Sequence, residues 1–228
     1  MNAAIPTAMA DWLLLQLADS AFPTGGFAHS AGLEAAYQHK EIRNRQDLID
    51  FLETALAQSA QSTIPFVRAA HLQEASFNSL DRRFDAFTTN HIANRASRAQ
   101  GRAFFATADR AFQNAAVNEL RCCAESEDLP RHFPIVFGAI LGRLGLALES
   151  TLRLFMSGQL RGYLSSAVRL NIIGPIDAQN VQFTLAPYVE RQISACAELP
   201  IDSATQTAPF LDLLQGTQDR LYSRLFQS

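Results

Sequence analysis

LESTLRLFMSGQLRGYLSSAVRL, residues 148–170, is the stretch that decides the fold class. Its apolar side chains recur at heptad-like spacing, which lines one face of a helix and not the alternate positions of a strand. An apolar face of this length predicts the central core helix of a bundle, or a dimer face. The face consists of Leu148, Leu152, Phe155, Met156, Tyr163, Ala167 and Leu170.

The same helical spacing continues through most of the chain, and few stretches combine strict alternation with β-branched residues. A length of 228 residues fits one domain with one hydrophobic core. We therefore predict an all-α, single-domain helical bundle of roughly eight to ten helices. Predicted helices lie near 11–18, 32–37, 44–62, 65–79, 83–115 with a break, 133–145, 148–172 and 178–198, and polar connections are predicted at 122–131 and 199–209.

Charge and cysteine content exclude several classes of function. There are 19 basic and 22 acidic residues, and 19 − 22 = −3, so no net positive charge favours a nucleic acid. The only lysine, Lys40, lies outside any phosphate-loop or Schiff-base motif. Three cysteines, two of them adjacent, and the absence of a long apolar run predict a cytoplasmic protein with neither disulfides nor a membrane span.

The turn between the first two predicted helices has the most particular sequence in the chain. Residues 19–30 read DSAFPTGGFAHS, in which proline fixes one backbone angle and the paired glycines permit positive φ. Its backbone N–H groups, with Thr24, His29 and Ser30, are suited to cradling an anion, but a sharp structural turn uses the same residues and is the commoner case. Glu34, taken alone, is a favourable charge in the first turn of the next helix.

Histidine and arginine positions bear on metal and partner binding. No two of the five histidines stand three or four residues apart, so no chelating pair and no metal site is predicted. Arg95, Arg98 and Arg102 stand at i, i+3 and i+7, on one helical stripe. Such a stripe is usually a solvated face, and functionally it suits an acidic protein surface or a nucleotide-bearing partner.

Two features concern packing. Gly138 and Gly142, four residues apart, remove side chains from one helix face and predict a close helix crossing. The chain ends in YSRLFQS, residues 222–228, although chain ends are normally polar. An apolar tail docks on its own chain or binds another protein, and the sequence favours neither alternative.

Four blocks, in order along the chain, resemble the urease accessory protein F (UreF) family. Residues 17–34, LADSAFPTGGFAHSAGLE, closely resemble the opening motif of that family. Residues 134–138 (PIVFG) are similar to its PVVFG stretch, residues 165–170 (SSAVRL) to its SAAVRL stretch, and residues 222–228 to its terminal YSRLFRS. The chain departs from the family where Gln218 and Asp219 replace a common His-Glu pair and Gln227 replaces a common Arg.

The resemblance implies a dimer-forming, non-catalytic scaffold and regulator rather than an enzyme. It implies partnership with urease accessory protein D (called H in some species) and with the GTPase urease accessory protein G, in an assembly that delivers nickel to apo-urease. Nickel would be handled transiently by that assembly, and GTP would be bound by the G protein. This chain would hold no cofactor tightly and contribute no catalytic residue.

The resemblance also implies where partners bind. One domain is expected over 1–228, with a partner-binding C-terminal tail over 209–228. The tail and the turn are expected to serve the interface with the D protein, and Arg169 the neighbourhood of the G protein. The expected partner-binding residues are Pro23, Gly25, Gly26, His29, Ser30, Glu34, Arg169, Tyr222, Arg224, Leu225 and Phe226.

Two rival functions remain from the residues themselves. An enzyme would use the loop over 24–30, with His29 as a hydrolase residue, and the isolated protein would then show turnover. A stand-alone helical ligand-binding or regulatory module would show a defined apolar pocket that binds a small molecule without partners.

Overall fold

Ten α-helices make up most of the described chain. A computed structural model describes residues 7–227 and contains, within that range, three short 3₁₀ segments besides the helices and no strand. The predicted all-α bundle is therefore confirmed. Within the same range no helix combines the length and apolar character of a membrane span. Residues 1–6 and Ser228, which belong to the predicted domain and terminal motif, lie outside the described residues. The helices are α1 Thr7–Ala18, α2 Leu33–Gln38, α3 Arg45–Leu72, α4 Phe77–Phe87, α5 His91–Phe112, α6 Ala115–Ser126, α7 Phe133–Arg143, α8 Leu148–Arg169, α9 Pro175–Cys196 and α10 Pro209–Gly216.

Two helices, α3 and α8, form much of the core. Helices α4, α7, α8 and α9 all pack against α3, which makes α3 the central helix. α8 buries the aromatic ring of Phe155, whose centroid lies 5.8 Å from that of Phe133 and 5.5 Å from that of Phe137. The prediction that residues 148–170 form a core helix is confirmed, but the central helix is α3 and not α8. The predicted apolar face is buried within the chain at Leu152, Phe155 and Met156, so the alternative that this face is a dimer face is wrong.

The prediction that a new helix starts at Pro65 is wrong, because α3 continues through this residue. Proline has no N–H to donate and displaces the carbonyl four residues earlier, here that of Gln61, from its helical partner. Thr205 N, in the segment before α10, donates to Gln61 O at 3.3 Å. A partner from a distant part of the chain therefore satisfies the carbonyl, and the helix is not broken.

The close crossing predicted from glycine spacing lies between α3 and α7. A Cβ placed on Gly138 would lie 2.3 Å from Val67 O, and one on Gly142 would lie 2.4 Å from His71 O. Both distances are well inside van der Waals contact, so any side chain at these positions would push the two backbones apart. The two glycines therefore allow α7 to pack directly on the backbone of α3.

The break predicted within 83–115 is confirmed, because α4 ends at Phe87 and α5 begins at His91. Asn90 accepts hydrogen bonds from two backbone N–H groups at the start of α5, and Asn114 does the same for α6. α6 extends to Ser126, so the predicted polar connection over 122–131 is helical in its first half. Each asparagine offers the backbone a cap and thereby starts a new helix.

A buried polar cluster fixes the loop before α7. Asp81 and His132 are both fully buried, and Asp81 accepts the backbone N–H groups of Arg131 at 2.6 Å and of His132 at 2.7 Å. His132 Nε2 lies 2.9 Å from Asp85 Oδ1, and Nδ1 lies 3.1 Å from Ser97 Oγ. Burial lowers the pKa of His132 in spite of the neighbouring carboxylates. The neutral ring therefore ties α4 to α5 through hydrogen bonds on both nitrogens.

Candidate protein-interaction site

The C-terminal segment over residues 217–227, which we call the docked segment, lies on α2 and on the turn before it. α10 packs on α2 and brings the chain to this surface. Gln38 Nε2 at the end of α2 donates to Ser223 O at 2.8 Å, and Gln227 N donates to Ala28 O at 2.8 Å. The tail therefore docks on its own chain, which was one of the two alternatives for an apolar end.

Glu34, in the first turn of α2, is the centre of this contact. The residue is 1% exposed, and its carboxylate accepts three hydrogen bonds. Leu225 N donates at 2.6 Å, Phe226 N at 3.2 Å and Gln218 Nε2 at 2.6 Å. A buried carboxylate is tolerated only when its oxygens are hydrogen-bonded, and hydrogen bonds to a charge are stronger than neutral ones. Glu34 therefore holds both the beginning and the end of the docked segment.

Arg169, the last residue of α8, stacks between two aromatic rings. Its guanidinium carbon lies 4.2 Å from the centroid of the Phe27 ring and 4.1 Å from that of the Phe226 ring. Nη1 also donates to Phe27 O at 2.6 Å. The planar guanidinium suits a position between two rings because it attracts both π-faces. Arg169 thus joins α8, the turn and the docked segment in one cluster.

An ion cluster orients the docked segment on α5. Asp219 accepts two hydrogen bonds from Arg95, at 3.1 and 3.0 Å, and one from Arg224 Nη1 at 2.9 Å. The hydrogen bond from Arg95 is the main cause that lowers the pKa of Asp219. Both Arg95 and Asp219 are more than a third exposed, so solvent screens their attraction. The pair contributes more to the orientation of the segment than to stability.

The turn before α2 packs against α5. Pro23 O accepts a hydrogen bond from Thr107 Oγ1 at 3.1 Å. Gly25 has φ +74°, and a Cβ on it would lie 3.0 Å from Ala103 Cβ, so both the backbone angle and the space require glycine. A 3₁₀ segment, Gly26–Ala28, follows and carries Phe27 to the side chain of Arg169. The structural interpretation of this turn therefore accounts for Gly25.

His29 and Ser30 line a cavity behind the turn. α5 contributes Gln100 to its wall, α7 contributes Phe133 and α8 contributes Gln159. Burial, and secondarily the charge of Arg95, lower the pKa of His29, so its ring is neutral near pH 7.

Across residues 7–227, no group of three or more His, Cys, Asp or Glu side chains is placed to hold a metal ion.

The docked segment has an inner and an outer side. Phe226 is 4% exposed and packs inward, whereas Tyr222 is fully exposed and Leu225 is 51% exposed. Phe27, on the adjacent turn, is 70% exposed although its ring contacts Arg169. An apolar surface of Phe27, Tyr222 and Leu225 is therefore presented to solvent by a segment whose backbone is held in place.

The structure brings some of the expected partner-binding residues together and separates others. Glu34, Arg169, Leu225 and Phe226 form the docking cluster, and Arg224 belongs to the adjacent ion cluster. Tyr222 lies on the outer side. The residues that shape the turn and the cavity behind it are Pro23, Gly25, Gly26, His29 and Ser30.

Sequence reasoning missed several residues of this site. Gln218 is fully buried on Glu34, although the sequence marked it only as a departure from the family pattern. Asp219 was marked in the same way, and Arg95 was placed on a solvated stripe, but the two residues pair with each other. Phe27 was predicted only as part of a turn. The adjacent paired glycines could have indicated that the Phe27 ring is exposed. The contacts of Gln218 with Glu34 and of Asp219 with Arg95 join residues that are too distant in sequence for a local pattern to indicate them.

Comparisons with known proteins show which family the chain belongs to. A family model described as UreF matches residues 42–186. A "Urease accessory protein F" of Oryza sativa subsp. indica is 37% identical over 229 residues, covering 99% of this chain and 88% of the relative. A protein of the same name from Arabidopsis thaliana is 36% identical, covering 95% of this chain and 92% of the relative, and a "Urease accessory protein UreF" of Trichodesmium erythraeum is 28% identical, covering 93% and 94%. With the family model matching more than half of the chain and relatives aligned over nearly all of it, the chain belongs to the urease accessory protein F family.

Proposed function

We propose that this chain is a non-catalytic scaffold and regulator of urease maturation. It joins urease accessory protein D (H in some species) to the GTPase urease accessory protein G, and the assembly inserts nickel into apo-urease. Membership of an accessory-protein family supports this role. In the proposal the GTPase partner binds and hydrolyses GTP, which agrees with the absence of a phosphate-loop motif from the sequence.

The observation that carries the proposal is the outer surface of the docked segment. Glu34 and Arg169 hold Phe226, so the backbone that bears Tyr222 and Leu225 is ordered before any partner arrives. An ordered segment loses little conformational entropy on binding, and exposed aromatic residues are common anchors of protein interfaces. We assign this surface, with the turn beside it, to the D protein.

Arg169 was expected near the surface for the G protein. Its stacking on Phe27 and Phe226 makes it a neighbour of the surface assigned to the D protein. In our proposal the two partners therefore bind next to each other. A change at Arg169 would then affect binding of both.

Copurification tests the scaffold role. The chain is coexpressed with the D and G proteins, and complex formation is measured by size-exclusion chromatography. We expect a ternary complex that is lost on deletion of residues 222–228 and weakened by Tyr222→Ser with Leu225→Ser. The matched control is Ile176→Ser with Phe183→Ser, which removes two similarly exposed apolar side chains from α9. If no complex forms, or if the deletion leaves the complex intact, the scaffold proposal fails.

The exposed face of α1 supports a homodimer. Met9, Trp12 and Leu15 are 59%, 69% and 63% exposed, and their spacing places them on one side of the helix. Apolar residues grouped in this way mark interaction surfaces. We expect light scattering to give the mass of a dimer and Trp12→Glu with Leu15→Glu to give that of a monomer. A monomeric parent protein would contradict the dimer.

Nickel is cargo in this proposal and not a resident cofactor. We propose that the assembled complex handles it transiently in the cytoplasm and that this chain alone binds it weakly. Calorimetric titration of the isolated protein with a nickel salt should therefore show no tight, stoichiometric binding. Tight binding at one ion per chain would overturn this part of the proposal.

A further inference from the structure

Three arginines lie close together on one side of the bundle. Arg98 and Arg102 lie on the outer face of α5, and Arg131 lies in the loop before α7. In the part of the chain that the structure describes, none of the three forms an ion pair, and Arg131 Nε donates only to the carbonyl of Leu129. Arg95, on the same helical stripe, differs because it is engaged by Asp219.

The fold brings Arg131 to α5 at some cost in backbone conformation. A Cβ on Gly101 would lie 1.9 Å from Arg131 O, so the loop rests directly on the helix backbone there. Arg131 has φ +62°, a left-handed conformation that residues with a side chain rarely adopt. The buried carboxylate of Asp81 holds it by accepting the Arg131 N–H.

The positive charges at this place are not balanced locally. Burial, and then the like charges of Arg131 and Arg98, lower the pKa of Arg102. Asp85 attracts Arg98, but its carboxylate already accepts hydrogen bonds from Asn94 and His132. The whole chain has a formal charge of −3, so this excess of positive charge is a local property of the surface.

The shape of the surface indicates what kind of ligand fits it. Arg98 and Arg102 border a cleft that is also lined by Thr89, before α5, and by Asn94 and Arg95 on α5. A second cleft continues beyond Arg102 and is bordered by Arg131. Its wall also contains the carboxylates of Asp109 and Glu125, and both of these are paired with Arg121. Small-molecule sites are lined mostly by apolar side chains, whereas the residues that line these two clefts are mostly polar or charged. An extended chain with several negative charges fits them better than a compact ligand.

We propose that Arg98, Arg102 and Arg131 form a docking surface for an acidic segment of a partner protein. Asp and Glu side chains of that segment would accept paired hydrogen bonds from the forked guanidinium groups. The proposal extends the scaffold role given above by naming the chemistry of one further partner contact. It is separate from the docked segment, because none of the three arginines contacts residues 217–227 among the interactions of the described structure.

Fluorescence anisotropy with a labelled octaglutamate peptide tests this surface on the full-length protein. We expect saturable binding in about 50 mM NaCl that weakens in about 200 mM NaCl, because salt screens exposed charges. Arg98→Gln with Arg102→Gln should weaken binding about fivefold or more. Arg98→Lys with Arg102→Lys should give an intermediate loss of affinity for the peptide, because the positive charges remain and the forked guanidinium groups are removed.

The matched control is Lys40→Gln with Arg191→Gln. It removes two positive charges outside the proposed surface and has the same net charge as the Arg98→Gln and Arg102→Gln variant. Circular dichroism melting should show that all variants are folded. The proposal is overturned if the parent protein does not bind octaglutamate in low salt, or if the control loses as much affinity as the Arg98 and Arg102 variant. It is also overturned if labelled oligothymidine binds more tightly than octaglutamate, or if millimolar inorganic phosphate displaces the peptide at constant ionic strength.

The outcome can be separated from that of the proposed function. If the parent protein does not bind octaglutamate but does form the complex with the D and G proteins, only the docking surface is overturned. Peptide binding without any such complex overturns the scaffold role and leaves the surface in place.

Discussion

Replacement of Glu34 by Gln tests whether one buried carboxylate holds the docked segment. The carboxylate accepts hydrogen bonds from Leu225 N, Phe226 N and Gln218 Nε2 at 2.6, 3.2 and 2.6 Å. A hydrogen bond to a charged group contributes about 1.5–3 kcal/mol. The substituted amide has the same shape but only one acceptor oxygen, and its N–H₂ group would face a backbone donor. We therefore expect docking to weaken by about 2–4 kcal/mol, because at least one bond is lost and the others lose their charge.

Hydrogen exchange followed residue by residue measures this change. A loss of about 2–4 kcal/mol raises the open population of the segment about 30- to 1000-fold, and the amides of Leu225 and Phe226 should exchange faster by that factor. Glu41→Gln is the matched control, because Glu41 is exposed and its side chain forms no hydrogen bond among those of the described structure. Exchange of the two amides within about twofold of the parent protein would refute the anchoring role of Glu34.

Three further predictions concern the same fold. Arg169→Lys keeps the charge but loses the planar stack, and should weaken docking by about 1–2 kcal/mol, measured by the same exchange experiment; unchanged exchange would contradict the stacking role. Because burial holds the pKa of His132 below 6.5, the unfolded chain takes up its proton first as pH falls. This residue should therefore lower the free energy of unfolding below about pH 6.5, by up to about 1.4 kcal/mol per pH unit. Urea unfolding at several pH values should show that the free energy of unfolding depends less steeply on pH in His132→Gln than in the parent protein. An equal pH dependence in the two proteins would argue against this role of His132. Gly138→Ala should destabilise the protein by about 1–3 kcal/mol, since its Cβ would lie 2.3 Å from a backbone oxygen, whereas Gly158→Ala, with nothing within 4 Å, should stabilise α8 slightly in thermal melting. Equal effects of the two glycine substitutions would refute the close crossing.

Local chemistry made parts of the fold predictable and left others hidden. The start of α3 agrees with the helix predicted from residue 44, because the capping side chain of Asn44 and its N–H donors lie within three residues. The continuation of α3 through Pro65 was not predicted, because the N–H group that bonds to the freed carbonyl of Gln61 belongs to Thr205, far along the chain. The helical part of 122–131 was missed because polar composition alone does not end a helix when an N-cap such as Asn114 precedes it.

The candidate site divides in the same way. The turn could be predicted from its proline and glycines, because their backbone preferences are intrinsic. Glu34 taken alone was a favourable charge at a helix start, and only the resemblance placed it at an interface. Its role as the anchor of the docked segment depends on the proximity of Leu225 and Gln218, which no spacing indicates.

By itself the sequence determined the helical class, the absence of a phosphate-loop lysine and the resemblance to one family, since these depend on periodicity and on motifs within short windows. Only the tertiary structure decided that the tail folds back, that Arg169 stacks on Phe226, and that Arg98, Arg102 and Arg131 share one surface. The physical reason is that these contacts join residues from distant parts of the chain. Each is made by side chains whose individual patterns fit equally well with exposure to solvent, and packing of the helices selects among those possibilities.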